Sequence, residues 1–99
     1  MKQHIIQMNK AFESRIRLGV MSILMVNDEV DFTQLKEMLD LTDGNLASHI
    51  SALEKLNYLS VTKRFLGKKP NTNYSITSEG KKAFNAHLDA LENLLKNRD

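Results

Sequence analysis

The hydrophobic pattern of this 99-residue chain changes its period at Asn57, and this change constrains the fold more than any other feature. Before it, apolar residues recur at steps of three or four, which predicts a helix over about 44–57 with one apolar face. These residues are Leu46, Ile50, Leu53 and Leu56. After it, residues 58–65 alternate between apolar and polar, which predicts a strand. A helix that runs directly into a strand is therefore the centre of the predicted fold.

Further helices and a second strand are predicted around this centre. Helices are expected over about 9–27, 33–41 and 78–97, a short extended piece at 30–32, a turn at 66–72 and a returning strand at 73–76. In the helix at 33–41, Leu35, Met38 and Leu39 are expected to face inward. Thr42 and Thr77 are expected to cap the two helices that follow them. The predicted fold class is mainly α with a small β-hairpin wing, in the order α-β-α-α-β-β-α.

Composition and chain length exclude several classes of protein. The chain contains no cysteine, which excludes disulfides and thiolate metal sites and fits a reducing cytosol. Its longest apolar-rich run, 18–26, is too short to span a bilayer, and the N-terminus lacks the features of a secretory signal. We therefore expect a single domain over 1–99 in the cytoplasm.

No pattern of catalytic or cofactor-binding residues is visible. The sequence has no Ser-His-Asp order, no Gly-rich phosphate loop and no paired carboxylates in an apolar setting. His87, Asp89 and Glu92 would not close a zinc site by themselves, since a structural site takes four ligands. The prediction is a protein that is not an enzyme and has neither a cofactor nor a metal.

Charge is distributed unevenly, although the net charge is only +2. Residues 28–43 carry a net −5, whereas residues 60–75 carry +4 and no acid. The four cations are Lys63, Arg64, Lys68 and Lys69. Taken alone, such a block is either a solvated turn or a binding surface for phosphate. Arg15 and Arg17 are equally ambiguous, between contacts to a nucleic-acid backbone and surface ion pairs.

The predicted order of elements gives this basic block a role. Two helices joined by a short turn containing glycine, and followed by a hairpin, form a winged helix-turn-helix, whose second helix enters the major groove of DNA. The outward face of helix 44–57 carries small or hydrogen-bonding side chains rather than many charges, which favours contact with base edges. This face consists of Gly44, Ser48, Ser51, Ala52 and Lys55, with Asn45 and Ala47 at its margins.

We therefore expect two groups of DNA contacts, one on the recognition helix at about 44–57 and one on the basic wing at about 63–72. The first group comprises Thr42, Asp43, Gly44, Asn45, Ser48, His49, Ser51 and Lys55. The second comprises Lys63, Arg64, Lys68 and Lys69, on the DNA backbone or in the minor groove. His49 has two interpretations, a partly buried histidine bonded to backbone or a phosphate contact.

The last helix carries a heptad-like apolar seam, with spacings of four, three and four. Its members are Phe84, Leu88, Leu91 and Leu95. This seam either folds onto the chain's own core or pairs with a second subunit. Ile5 and Ile6 have no evident place within the chain, which favours a dimer interface made of these residues and the seam.

Several segments resemble the winged-helix transcriptional regulators of the broad MarR and ArsR type, especially their small single-domain members. They are FTQL at 32–35, LTDGNLASHI at 41–50, LEKLNYL at 53–59, KPNT at 69–72 and YSITSEGK at 74–81, within about 12–95. The resemblance implies a homodimeric DNA-binding regulator whose terminal helices form the dimer contact. Asn57 replaces the glycine usual after the recognition helix, but asparagine also tolerates the left-handed conformation.

The predicted function is sequence-specific binding to double-stranded DNA, at an approximately palindromic operator, to regulate transcription. The alternative is a winged-helix module for protein–protein contact, favoured by the acidic stretch 28–43, which would repel DNA if it lay near the groove. The sequence identifies no small-molecule effector, and any effector would have to bind at the dimer interface.

Overall fold

The computed structural model describes residue 5 and residues 7–96 of the chain. A 3-10 turn at Lys10–Phe12 precedes the main elements. These are α1 (Arg15–Met25), β1 (Val30–Asp31), α2 (Phe32–Leu39), α3 (Asp43–Lys55), β2 (Leu59–Leu66), β3 (Lys69–Ile76) and α4 (Ser78–Lys96). Within the described residues the fold is thus four helices and a three-stranded antiparallel sheet, which confirms the predicted fold class and order.

The first helix begins later than predicted, at Arg15 rather than near Asn9. Asn9 caps the short 3-10 turn, and Ser14 then adopts an extended conformation. The Ser14 hydroxyl accepts a hydrogen bond from the backbone N–H of Arg17 at 3.3 Å, which starts α1 as a new helix. Apolar residues continue at helical spacing on both sides of this break, so periodicity alone predicted one helix where there are two elements.

A three-residue turn, 40–42, joins α2 to α3. Asp40 ends α2 in the left-handed conformation, with φ of 52°. Thr42 caps α3 as predicted, because its side-chain oxygen accepts from the N–H of Asn45 at 3.3 Å. The prediction that the turn contains a glycine is wrong, since Gly44 lies in the first turn of α3.

The wing is the hairpin of β2 and β3, paired from Leu59 with Ile76 out to Leu66 with Lys69. Its turn is only Gly67 and Lys68, with φ of +65° at the glycine, as a type II′ turn requires. The predicted turn at 66–72 was therefore too long. Strand β1 pairs β3 only at Asn73 and Tyr74, so residues 69–72 lie on a free edge, where a proline is tolerated.

The inward face of α3 is largely as predicted. Leu46, Ile50 and Leu53 are at most 4% exposed, whereas Leu56 is 44% exposed. The prediction for Leu56 was wrong because α3 ends at Lys55, so the apolar stripe is not continued. In α2, Leu35 is buried and Leu39 packs against the core, but Met38, also expected inside, is 60% exposed.

The start of α4 is joined to the chain that follows α3 by two hydrogen bonds. The Thr77 N–H donates to the Tyr58 carbonyl at 3.1 Å, and the Thr77 hydroxyl donates to the Asn57 carbonyl at 2.6 Å. The same hydroxyl accepts from the Gly80 N–H at 2.8 Å, the predicted cap. A Cβ on Gly80 would lie 2.0 Å from the Tyr58 carbonyl oxygen. Only glycine therefore allows α4 to approach this closely.

The apolar seam of α4 is divided between the core and the surface. Phe84, expected in a dimer interface, is 4% exposed and packs edge-to-face on Phe12, with ring centroids 5.4 Å apart. Phe84 is thus a residue of the chain's own core, which corrects that prediction. His87 is also buried beside Phe12, and its Nδ1 accepts from the Asn9 N–H at 3.0 Å.

Candidate nucleic-acid interface

The face of α3 opposite its buried stripe is open to solvent. Because Leu46, Ile50 and Leu53 fix one side of the helix in the core, the other side projects outward. All the residues predicted on this helix as DNA contacts are exposed except His49, namely Thr42, Asp43, Gly44, Asn45, Ser48, Ser51 and Lys55. This surface carries mostly short side chains with hydrogen-bonding groups, which suit direct contact with base edges.

Gly44 has no structural role that requires a glycine. No atom lies within 4 Å of the position that a Cβ would occupy, and the residue does not adopt a positive φ. A glycine in a helix costs up to about 1 kcal/mol relative to alanine. The open space above this residue would allow a ligand backbone to approach the first turn of α3 closely.

The wing and α3 border a common cleft of about 240 Å³. Ala47, Ser51 and Glu54 line it from the helix, and Lys63 and Thr72 line it from the hairpin. Lys63 and Thr72 are cross-strand partners, so their side chains share one face of the sheet. The structure thus brings one side of the wing and the outward side of the helix to the same surface.

The four cations of the wing fall into two groups. Arg64 forms a two-pronged ion pair with Glu29, with nitrogen–oxygen distances of 2.8 and 3.1 Å. Lys63, Lys68 and Lys69 are exposed, and no acid among the described residues lies within ion-pairing distance of them. Arg64 therefore braces the wing against the segment before β1, while the three lysines remain available to phosphate.

The acidic stretch 28–43 is partly neutralised by contacts within the chain. Glu29 pairs with Arg64, and Asp43 lies 2.9 Å from the Lys36 ammonium. The hydrogen bond and charge of Asp43 raise the pKa of Lys36, so its ammonium remains charged at neutral pH. Asp31 accepts from the Gln34 N–H in a capping box at the start of α2. Three of the six acids are thus occupied by cations or backbone groups.

His49 is half-buried and bonded to a side chain rather than to backbone. The Arg17 Nε–H of α1 donates to His49 Nδ1 at 2.9 Å, which places the imidazole proton on Nε2. Burial, and secondarily the charge of Arg17, lower the pKa of His49. His49 thus links the recognition helix to α1 as a neutral ring.

This link predicts a pH dependence of stability. Because the pKa of His49 is lower in the folded state, the unfolded chain binds more protons as pH falls below about 6.5. The contribution of His49 is complete above that pH and is lost as pH falls through the folded pKa. Thermal unfolding midpoints of the wild type should therefore fall more steeply from pH 7.5 to 5.5 than those of His49→Gln. Equal slopes for the two proteins would contradict this assignment.

Sequence patterns could not identify the partners that organise this surface. Arg17 and His49 are separated by 32 residues, and Glu29 and Arg64 by 35. A charged pair leaves no periodic signal at such separations, because its proximity arises only from the packing of α1, α3 and the sheet. The exposed Phe65 on the wing was also missed as a candidate contact, because the alternation along β2 placed it on the same side as Leu59 and Val61.

The described residues contain no group of three or more metal-ligating side chains placed to hold an ion. Glu92, considered with His87 as a possible ligand, instead pairs with Lys96 at 2.7 Å. In the same part of the chain, no helix is both long and apolar enough to cross a membrane.

Comparison with known proteins agrees with this geometry. A family described as winged helix DNA-binding domain matches residues 16–95. An uncharacterised protein of Methanocaldococcus jannaschii is 33% identical over 88 residues, which cover 89% of this chain and 96% of that protein. A transcriptional regulator homologue from Pyrococcus horikoshii OT3 superposes with a TM-score of 0.80 at 29% identity, covering 98% of both chains.

A putative transcriptional regulator from Salmonella typhimurium shares the fold, with a TM-score of 0.72 at 18% identity, over 97% of this chain and 82% of that one. The predicted resemblance to winged-helix transcriptional regulators is confirmed by the family match and by the Pyrococcus horikoshii regulator homologue. The match over residues 16–95, together with the exposed recognition helix and its basic wing, shows that the chain belongs to the winged helix DNA-binding domain family.

Proposed function

We propose that this protein binds double-stranded DNA sequence-specifically as a homodimer and thereby regulates transcription. The observation that carries the proposal is the common surface formed by the outward face of α3 and the lysines of the wing. A helix held by a buried apolar stripe can enter a major groove without losing its place in the core. The wing at the side of that helix then meets the flanking DNA.

The two parts of this surface have different roles in the proposal. Asn45 and Ser48, on the exposed side of α3, carry short groups that can exchange hydrogen bonds with base edges. Lys68 and Lys69 lie at the end of the hairpin, where a mobile ammonium neutralises phosphate without reading sequence. Sequence preference therefore comes from α3, and most of the salt-dependent affinity comes from the wing.

The proposed dimer uses the outer side of α4. Leu88 and Leu91 are 40% and 37% exposed, and Leu95 is also exposed at the next heptad-like step. Ile5 is 56% exposed and extends this apolar surface in the proposal, whereas Ile6 lies outside the described residues. Exposed leucines at this spacing on a 19-residue helix are typical of a helix that pairs with a second copy.

Selection of bound duplexes from a random DNA pool tests the proposal. The wild type should enrich two inverted half-sites whose centres lie roughly 10 bp, or a multiple of that, apart. Ser48→Ala and Asn45→Ala should each change the enriched half-site, because each removes a hydrogen-bonding group from the recognition face.

Three results would contradict parts of this proposal. No enrichment by the wild type would reject DNA binding and leave a protein–protein module as the alternative. A single motif without an inverted repeat would reject the symmetric dimer. Identical motifs for the wild type and both variants would reject the assigned role of α3.

A further inference from the structure

Arg17 is a cation without a counter-charge in the folded chain. Its Nε–H donates to Nδ1 of His49 at 2.9 Å, but the neutral imidazole supplies no negative charge. In the part of the chain that the structure describes, its two Nη groups have no hydrogen-bond partner, and no carboxylate lies within ion-pairing distance. The residue is also half-buried, so water screens its charge incompletely. An anion from outside the chain would complete this site.

The stability of α1 does not explain this arginine. The first turn of α1 carries Arg15 and Arg17 and no acid, whereas the positive end of the helix dipole favours acids there. The bond to His49 instead holds the guanidinium in place, because it joins α1 to α3 and leaves the two Nη groups as a free fork. Such a planar fork matches two oxygens of one phosphate group.

His49 places this fork on the flank of α3 that lies away from the wing. Ala47, Ser51 and Glu54, spaced by four and three, line the cleft toward the hairpin. His49 is two residues from both Ala47 and Ser51, which is about 200° around a helix. Helix α1 packs against α3, and Arg17 therefore lies beside the recognition helix on the flank opposite to the wing.

The width of the major groove relates these two flanks to the two DNA strands. The groove is roughly 12 Å wide, and a helix with its side chains is about 10–12 Å across, so an inserted helix lies close to the backbones on both sides. One backbone is then beside the lysines of the wing, and the other is beside α1. Phosphate contacts on both flanks would fix the orientation of the helix in the groove, which contacts on one flank leave free.

We propose that Arg17 binds a phosphate of the DNA strand opposite to the one that the wing contacts, and that His49 is the residue that positions it. This inference rests on the proposed function and deepens it, because it adds a contact from α1 that orients α3 in the major groove. Arg17 makes the contact with its Nη groups. His49 remains bonded to Arg17 through Nδ1 and acts on DNA binding through that residue.

Neutralising single phosphates of the DNA tests the position of this contact. The selected duplex is prepared with one uncharged methylphosphonate linkage at a time, and dissociation constants are measured at pH 7.5, where His49 is neutral because its pKa is lowered. The wild type should lose affinity at linkages on both strands. Arg17→Ala should lose its sensitivity at one or two linkages of one strand, whereas Lys68→Ala should lose it at linkages of the other.

Arg17→Ala should also bind the unmodified duplex roughly 10- to 100-fold more weakly, the range expected for hydrogen bonds to a charged group. Its sequence preference should stay that of the wild type, since Arg17 contacts no base in the proposal. Arg15→Ala is the matched control. Arg15 is exposed in the same helical turn but lies about 200° from Arg17 around α1, beside Asp40. This variant should keep the wild-type affinity and the wild-type sensitivity at every linkage.

A double-mutant cycle tests the role of His49. His49→Ala should weaken binding because the guanidinium of Arg17 is no longer held. The double variant Arg17→Ala, His49→Ala should bind no more weakly than Arg17→Ala, because nothing is left to position. His49→Asn should regain much of the affinity, since its side-chain oxygen can accept from the Arg17 Nε–H in place of Nδ1. Circular dichroism at the assay temperature selects the variants that are folded.

Three outcomes would overturn the inference while leaving DNA binding intact. The first is an Arg17→Ala variant that keeps the wild-type sensitivity at every linkage. The second is a loss of sensitivity on the same strand for Arg17→Ala and Lys68→Ala. The third is a double variant whose loss is the sum of the two single losses, which would reject His49 as the positioning residue. Failure of the wild type to bind any duplex would overturn both this inference and the proposed function.

Discussion

Replacing Gly80 by alanine is expected to lower the thermal unfolding midpoint by roughly 10–25 °C, a loss of about 2–4 kcal/mol in the free energy of unfolding. A Cβ at this position would lie 2.0 Å from the Tyr58 carbonyl oxygen, and a backbone atom cannot rotate away as a side chain can. The start of α4 would have to withdraw from Tyr58, which would lengthen the hydrogen bond from the Thr77 N–H. The gain in helix propensity, up to about 1 kcal/mol, is too small to compensate.

Gly44→Ala is the matched control for this change. Gly44 is also in the first turn of a helix, but its missing Cβ would meet nothing within 4 Å. This variant should unfold at or slightly above the wild-type midpoint because alanine favours the helix. Both are measured by circular dichroism at one protein concentration, since oligomers unfold in a concentration-dependent manner. Midpoints within 2–3 °C of each other (roughly the effect of half a kcal/mol) would show that α4 is not held as described.

Removing the three unpaired lysines of the wing should cause the largest loss of DNA affinity. Each lysine that neutralises a phosphate contributes a slope of about −0.9 to the dependence of log affinity on log salt concentration. The triple variant Lys63→Ala, Lys68→Ala, Lys69→Ala should therefore reduce the change in affinity between 50 and 200 mM salt by roughly 40-fold. Its sequence preference should stay that of the wild type, because these residues contact no base in the proposal.

The control for this experiment removes the same charge elsewhere. Lys10, Lys81 and Lys82 are exposed and lie outside the wing. Their triple alanine variant should keep most of the wild-type salt slope, measured by fluorescence anisotropy over the same salt range. Equal slopes for the two triple variants would mean that net charge, rather than the position of the wing, determines the affinity.

Short-range sequence patterns predicted most of the fold because they reflect interactions between residues that are close in the sequence. The stripe of Leu46, Ile50 and Leu53, the caps at Thr42 and Thr77 and the left-handed Asn57 all involve residues within a few positions of one another. The break before α1 was not predicted, because Ser14 interrupts the helical backbone conformation while the apolar residues keep their helical spacing.

The candidate site was predicted less completely, since its electrostatics depends on distant residues. The exposure of Ser48 and Lys68 follows from periodicity and turn chemistry. The pairing of Arg64 with Glu29, which removes one expected phosphate contact, requires the packed sheet. The tight contact of Gly80 with Tyr58 likewise depends on how α4 packs against the segment between α3 and β2, which no spacing encodes.

The joint at Thr77 has a mechanical consequence for a dimer built on α4. The Thr77 hydroxyl bridges the Asn57 carbonyl, just after α3, and the Gly80 N–H in the first turn of α4. We therefore expect α3 and α4 to move together as a rigid unit. Since 19 residues of helix extend about 28 Å, a tilt of α4 by roughly 10° about its far end would displace the joint, and α3 with it, by about 5 Å. In such a dimer, the distance between the two recognition helices is set by the angle at which the two α4 helices cross. A ligand that altered this angle would move the recognition helices out of register with successive major grooves.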